Sequence, residues 1–95
     1  MRQLRYYSVI PNDKPEWLLR LQLDINIEYG LQGIEDTPEA WEQLRAYTDT
    51  LIQQMYCRRD IRIQSEVSTE LRSDAGRTVL WIKRNKKVIQ IYYIQ

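Results

Sequence analysis

The sequence contains no histidine and no phenylalanine, and it has only one cysteine among its 95 residues. Without histidine, the chain lacks the commonest general base, the commonest metal ligand and the base of Ser-His and Cys-His nucleophile pairs. The single cysteine, Cys57, cannot form an internal disulfide, and with no histidine beside it the usual nitrogen and sulfur zinc sites are excluded. We therefore predict a protein that is not an enzyme, with no catalytic residues, no metal and no cofactor.

Glycine is also scarce, and the three glycines form no phosphate-binding loop, since neither G-x-G-x-x-G nor G-K-[ST] occurs. No apolar run approaches eighteen residues, so the sequence predicts no transmembrane helix and no membrane partner. The first residues lack an apolar segment followed by a small-residue cleavage site, which argues against a signal peptide. We expect one compact domain over residues 1–95 in the cytoplasm.

The net charge is only +1, so no strong overall field favours nucleic acid. Acidic side chains are concentrated before and within the start of a predicted helix, where they complement its positive end. These are Glu35, Asp36, Glu39 and Glu42. A carboxylate metal or hydrolase site at this cluster is the less favoured interpretation. Cys57 is likewise expected to be a partly buried apolar residue and not a nucleophile.

Two stretches dominate the hydrophobic pattern. Trp17–Tyr29 alternates apolar and polar residues, which predicts a long strand with one buried face, with Leu19 and Leu23 in the core. The stretch from Pro38 to about Arg59 predicts one long helix capped by Asp36 or Thr37. Its core stripe recurs every three or four positions and consists of Trp41, Leu44, Thr48, Leu51 and Met55.

The remaining segments predict further strands. Leu4–Ile10 is short and β-rich, the residues from Ile61 to Val67 alternate, and Asp74-Ala75-Gly76 forms a turn. Residues 78–95 predict a hairpin whose turn is Arg84 to Lys87, with Asn85 in a left-handed conformation. The order ββαβββ predicts an α+β fold of two layers, in which one long helix packs on one face of a mainly antiparallel five-stranded sheet.

The C-terminal hairpin is apolar on both faces, whereas a solvated sheet face is normally polar. The predicted register pairs Trp81 with Gln90 and Val79 with Tyr92. The face away from the helix would then carry five apolar side chains: Val79, Trp81, Val88, Tyr92 and Ile94. We expect this face to bind a protein partner or a second copy of the chain, which predicts a small interaction or regulatory module.

The alternative function is nucleic-acid binding at the basic turn. Lys83, Arg84, Lys86 and Lys87 lie within five residues, and they could contact phosphates while Trp81 and Tyr92 stack on bases. The simpler interpretation is that these charges keep the tip of the hairpin solvated and protect the sheet edge from wrong pairing. We therefore place nucleic acid second to a protein partner.

Overall fold

The computed structural model describes residues 1–10, 14–56 and 61–95. They form an α+β arrangement with a four-stranded antiparallel sheet in the order β1-β4-β3-β2. The strands are β1 (Leu4–Ser8), β2 (Val67–Asp74), β3 (Arg77–Arg84) and β4 (Lys87–Ile94). The helices are α1 (Glu16–Tyr29), α2 (Pro38–Thr50), a π-helical segment (Leu51–Tyr56) and α3 (Ile61–Glu66). No helix among these described residues is long and apolar enough to cross a membrane.

The prediction of a strand at Trp17–Tyr29 is wrong, because these residues form α1. On a helix, residues i and i+2 lie about 200° apart, on opposite sides of the axis. Residues i and i+4 lie on the same side, with a rotation of only about 40° between them. A period-two pattern therefore does not scatter around the helix. It separates into two apolar rows on opposite sides, and one of them, with Trp17, Leu21 and Ile25, packs into the core beside Leu18, which lies outside the alternation.

The predicted helix at Pro38 is confirmed at its start. The Thr37 side chain accepts a hydrogen bond from the backbone N–H of Ala40 at 3.2 Å, and Pro38 occupies the first turn. After Thr50 the chain continues as a π-helix, whose wider turn rotates later side chains relative to α2. As a result Ile52 is fully buried, while Met55, predicted on the core stripe, is 63% exposed. The predicted end at Arg59, like Cys57, lies outside the described residues.

The strand predicted from Ile61 is wrong over its first six residues, which form α3, and β2 begins only at Val67. The predicted turn at Asp74–Gly76 is confirmed, with Ala75 and Gly76 both at positive φ. The five strands and single long helix expected from the sequence are therefore replaced by four strands with α1, α2 and shorter helical segments.

Both long helices lie on one face of the sheet. Gln22 of α1 hydrogen-bonds Ser8 and Gln90, which places α1 over β1 and β4. Arg45 of α2 donates to the Thr69 hydroxyl at 3.2 Å, in agreement with the packing of α2 against β2 and β3. The core lies between these layers.

Candidate functional site

The turn of the C-terminal hairpin forms as predicted. Asn85 and Lys86 have φ of 53° and 66°, the two consecutive left-handed residues of a type I′ turn. Arg84 pairs with Lys87 and Lys83 pairs with Val88, so the predicted register is confirmed next to the turn.

Beyond Lys83 the predicted register is wrong, because β4 carries one additional residue at Ile89. Ile82 pairs with Gln90, Trp81 with Ile91, and Leu80 with Tyr92. This β-bulge moves the rest of β4 along by one position, and a shift of one residue exchanges the two faces of a strand.

The bulge separates the five predicted interface residues. Val79 and Trp81 alternate along β3 with the core residues Leu80 and Ile82, and Val88 pairs with Lys83, which has the same parity as Trp81. Val79, Trp81 and Val88 therefore share the face that points away from the helices. Tyr92 and Ile94 instead lie on the covered face, where they are 1% and 6% exposed and belong to the core.

Three aromatic or aliphatic residues that sequence reasoning missed take their place. Ile91 pairs with both Trp81 and Tyr7, and Tyr93 pairs with Arg5, so all of these side chains share one face. The Tyr7 and Tyr93 rings are 5.9 Å apart. We call this surface the outer face, defined by its apolar residues Tyr7, Val79, Trp81, Val88, Ile91 and Tyr93. The continuous apolar run Ile91–Ile94 gave no signal for which parity points outward.

The outer face is shaped and partly covered by its own polar side chains. The guanidinium of Arg72 lies over the Trp81 ring, 4.8 Å from the ring centre. Tyr7 is 51% exposed, whereas Val79 lies deeper at 6%. A concavity of about 220 Å³ opens between Tyr7, Tyr93 and the start of β3. Asp74 and Arg77 also line this concavity, so it combines an apolar floor with a mixed aromatic and charged rim, as protein interfaces commonly do.

The basic turn is less free than its sequence indicates. Lys83 Nζ lies 3.4 Å from a carboxylate oxygen of Glu70, and Arg84 Nε lies 3.3 Å from one of Glu66. Hydrogen bonds from Arg72 and then Lys83 lower the pKa of the Glu70 carboxyl. Lys86 and Lys87 are exposed at the tip.

The two aromatic residues proposed to stack on bases lie on opposite faces of the sheet. Trp81 is on the outer face, with Arg72 over its ring, and Tyr92 is buried. The structure therefore brings only Trp81 to the surface, on the same face as Lys83.

The acidic cluster has structural contacts. Asp36 accepts a hydrogen bond from the indole N–H of Trp41 at 2.9 Å, and Glu42 forms an ion pair with Arg45 at 2.6 Å. The hydrogen bond from Arg45 lowers the pKa of the Glu42 carboxyl. Glu35 and Glu39 are exposed. These contacts tie the cluster to the start of α2, as the helix interpretation of the sequence expects.

Comparison with protein-family models, with curated proteins and with solved structures found no match to this chain.

Proposed function

We propose that this chain is a non-enzymatic interaction module that binds a protein partner, or another copy of itself, through the outer face of its sheet. The observation that carries the proposal is the apolar and aromatic surface on the side of the sheet opposite the two long helices. Sheet faces left to solvent are normally polar, whereas aromatic residues are enriched in protein interfaces.

The energetic argument concerns Trp81 and its aromatic neighbours. A whole large aromatic side chain buries about 150–250 Å², and apolar area contributes roughly 25 cal/mol per Å². Trp81 is already half-buried and Tyr7 is 51% exposed, so binding could remove only the remaining part of each ring from water. The outer-face side chains are already held by cross-strand neighbours, so binding would order few new rotamers. Low ordering cost is one source of affinity in small interfaces.

The proposal predicts that Trp81→Glu abolishes partner binding while the fold survives, because Trp81 lies on the outer face and not in the core. Gln43→Glu is the matched control, since it adds the same charge at an exposed position on α2. Affinity capture from an extract of the producing cells, followed by titration calorimetry with the purified partner, measures the effect. We expect at least a tenfold loss of affinity for Trp81→Glu and less than a twofold change for Gln43→Glu.

Nucleic-acid binding stays the alternative prediction, and it is tested with Trp81→Glu together with the double variant Lys86→Glu/Lys87→Glu. Capture is repeated after nuclease treatment, and fluorescence polarisation with single-stranded oligonucleotides is measured at two salt concentrations. The module proposal is wrong if Lys86→Glu/Lys87→Glu abolishes capture, nuclease releases the bound material, and Trp81→Glu acts only through oligonucleotide affinity.

A further inference from the structure

Helix α1 carries a second apolar row that does not enter the core. Leu19, Leu23 and Ile27 are 49%, 51% and 69% exposed, although all three are large aliphatic residues. They lie on the side of α1 opposite Leu21 and Ile25, so the helix itself separates them from the sheet. We call these three residues the α1 row. Its spacing of four residues gives a straight ridge along the helix.

A groove borders the α1 row and extends the apolar surface. Leu19 and Leu23 line it together with Met55, which is 63% exposed. The hydroxyl of Tyr56 donates to a carboxylate oxygen of Asp24, and this bond ties the π-helical segment to α1 beside the groove. The apolar surface is therefore held by two elements fixed to each other.

Ridges with a spacing of four residues pack into each other at a crossing angle of about −50°, the commonest class of helix contact. A row of three residues can pair with itself around a two-fold axis. With Leu23 on the axis and the helices antiparallel, Leu19 of one copy lies against Ile27 of the other. Such an isologous contact is the usual way in which homodimers close.

The charges beside the row favour this antiparallel pairing. Arg20, Asp24 and Glu28 follow one flank, and Gln22 and Asn26 follow the other. A two-fold axis through Leu23 brings like flanks together in reverse order, so Arg20 faces Asp24 and Glu28 of the second copy. A parallel pair would instead place the charged flank on the uncharged one.

Arg20 and Glu28 are exposed and available for such a contact, whereas the Asp24 side chain is only 22% exposed and already accepts a hydrogen bond from Tyr56. Arg20 is 63% exposed at its side chain, and its Nε lies 3.5 Å from Asp24 of the same helix. Glu28 is exposed and forms no salt bridge within residues 1–10, 14–56 and 61–95. The antiparallel pairing would place the positive charge of Arg20 from the second copy beside Glu28.

We propose that the α1 row is the contact between two copies of this chain, crossed antiparallel at Leu23. The helix spans only about 21 Å, so the contact falls below the roughly 800 Å² per partner of a standard interface. A weak dimer with a dissociation constant in the micromolar range is therefore expected. The proposal concerns a surface distinct from the outer face, and it holds whether or not the outer face binds a partner.

The first experiment is sedimentation equilibrium of the full chain from about 1 to 500 μM. Leu23→Glu places like charges at the two-fold axis and should weaken the dimer at least tenfold. Gln43→Glu is the control, because it adds the same charge at an exposed position on α2, away from the α1 row. It should change the dissociation constant less than twofold. A parent chain that stays monomeric at 500 μM would overturn the proposal.

The second experiment exchanges charges, so it does not require the fold to accept a charged residue at Leu23. Arg20→Glu and Glu28→Arg should each weaken the dimer, and the double variant should restore it to within about threefold of the parent. Residues 20 and 28 are two helical turns apart, so the restored pair cannot form within one helix. No restoration would overturn the antiparallel arrangement. Dimers lost in Trp81→Glu but kept in Leu23→Glu would assign self-association to the outer face instead.

Discussion

At the scale of single residues, the most informative group is a buried polar network beneath α1. Gln90 is fully buried in β4, where its neighbours in the core are apolar. Its side-chain oxygen accepts hydrogen bonds from Gln22 at 2.6 Å and Ser8 at 3.1 Å, and its nitrogen donates to the Tyr92 hydroxyl at 2.8 Å. The network joins α1, β1 and β4, so it fixes the position of the helix on the sheet as well as satisfying the buried amide.

We predict that Gln90→Leu destabilises the protein by about 1–3 kcal/mol, although it replaces a polar core residue with an apolar one of similar size. The reason is that the buried Tyr92 hydroxyl would lose its hydrogen bond from Gln90, and the part-buried Gln22 would keep only Ser8 as an acceptor. Chemical denaturation measures the change. Gln43→Leu, at an exposed site on α2, is the control and should shift the free energy of unfolding by less than about 0.5 kcal/mol. Equal stability of the parent and Gln90→Leu would show that the network contributes nothing net.

At the scale of elements, the sequence predicted turns and caps better than the type of the first long segment. Thr37, Pro38 and Asn85 act locally, through a cap, a fixed φ and a left-handed conformation, so short stretches of sequence were enough. Trp17–Tyr29 was ambiguous because the period-two pattern fits both a half-buried strand and a helix with two opposed apolar rows. Only tertiary packing decides between them, and neither the bulge at Ile89 nor the π-helical segment has a local signature in this sequence.

The two rows of α1 predict losses of stability of different size for the same leucine-to-alanine substitution. Leu21→Ala should cost about 2–5 kcal/mol, because Leu21 is fully buried and its removal leaves a cavity. Leu23→Ala should cost less than about 1 kcal/mol in the monomer, since that side chain is already half exposed. Urea denaturation at low protein concentration gives both values. Similar losses for the two variants would contradict the orientation of α1.

At the scale of the whole molecule, the two layers meet through tyrosines as well as aliphatic residues. Burial is the main cause that raises the pKa of the Tyr92 hydroxyl, and the neighbouring Tyr6 adds to it. Burial, followed by the hydrogen bond to Asp24, likewise raises the pKa of Tyr56. Tyr29 and Tyr47 pack edge to face between α1 and α2, 6.3 Å apart, and burial raises the pKa of both. Because the chain has no phenylalanine, these contacts, within the helical layer and between it and the sheet, are made by ionisable rings, and we expect them to be sensitive to alkali.

This arrangement predicts a loss of stability in alkali that Tyr92→Phe reduces. The folded state holds the Tyr92 proton above the ordinary pKa of about 10, whereas the unfolded chain releases it there, so the unfolded state binds fewer protons as the pH rises. The contribution is fully present below pH 10 and is lost above it, with a slope of at most about 1.4 kcal/mol per pH unit for this one group.

Free energies of unfolding from urea titrations between pH 8 and 11 measure the slope, and absorbance of tyrosinate at alkaline pH should rise together with unfolding. Tyr92→Phe lowers stability below pH 10, because Gln90 loses a partner, but its dependence on pH above 10 should be flatter than that of the parent. An unchanged slope would mean that the Tyr92 proton does not contribute, and that the contact between the layers loses stability in alkali through other groups.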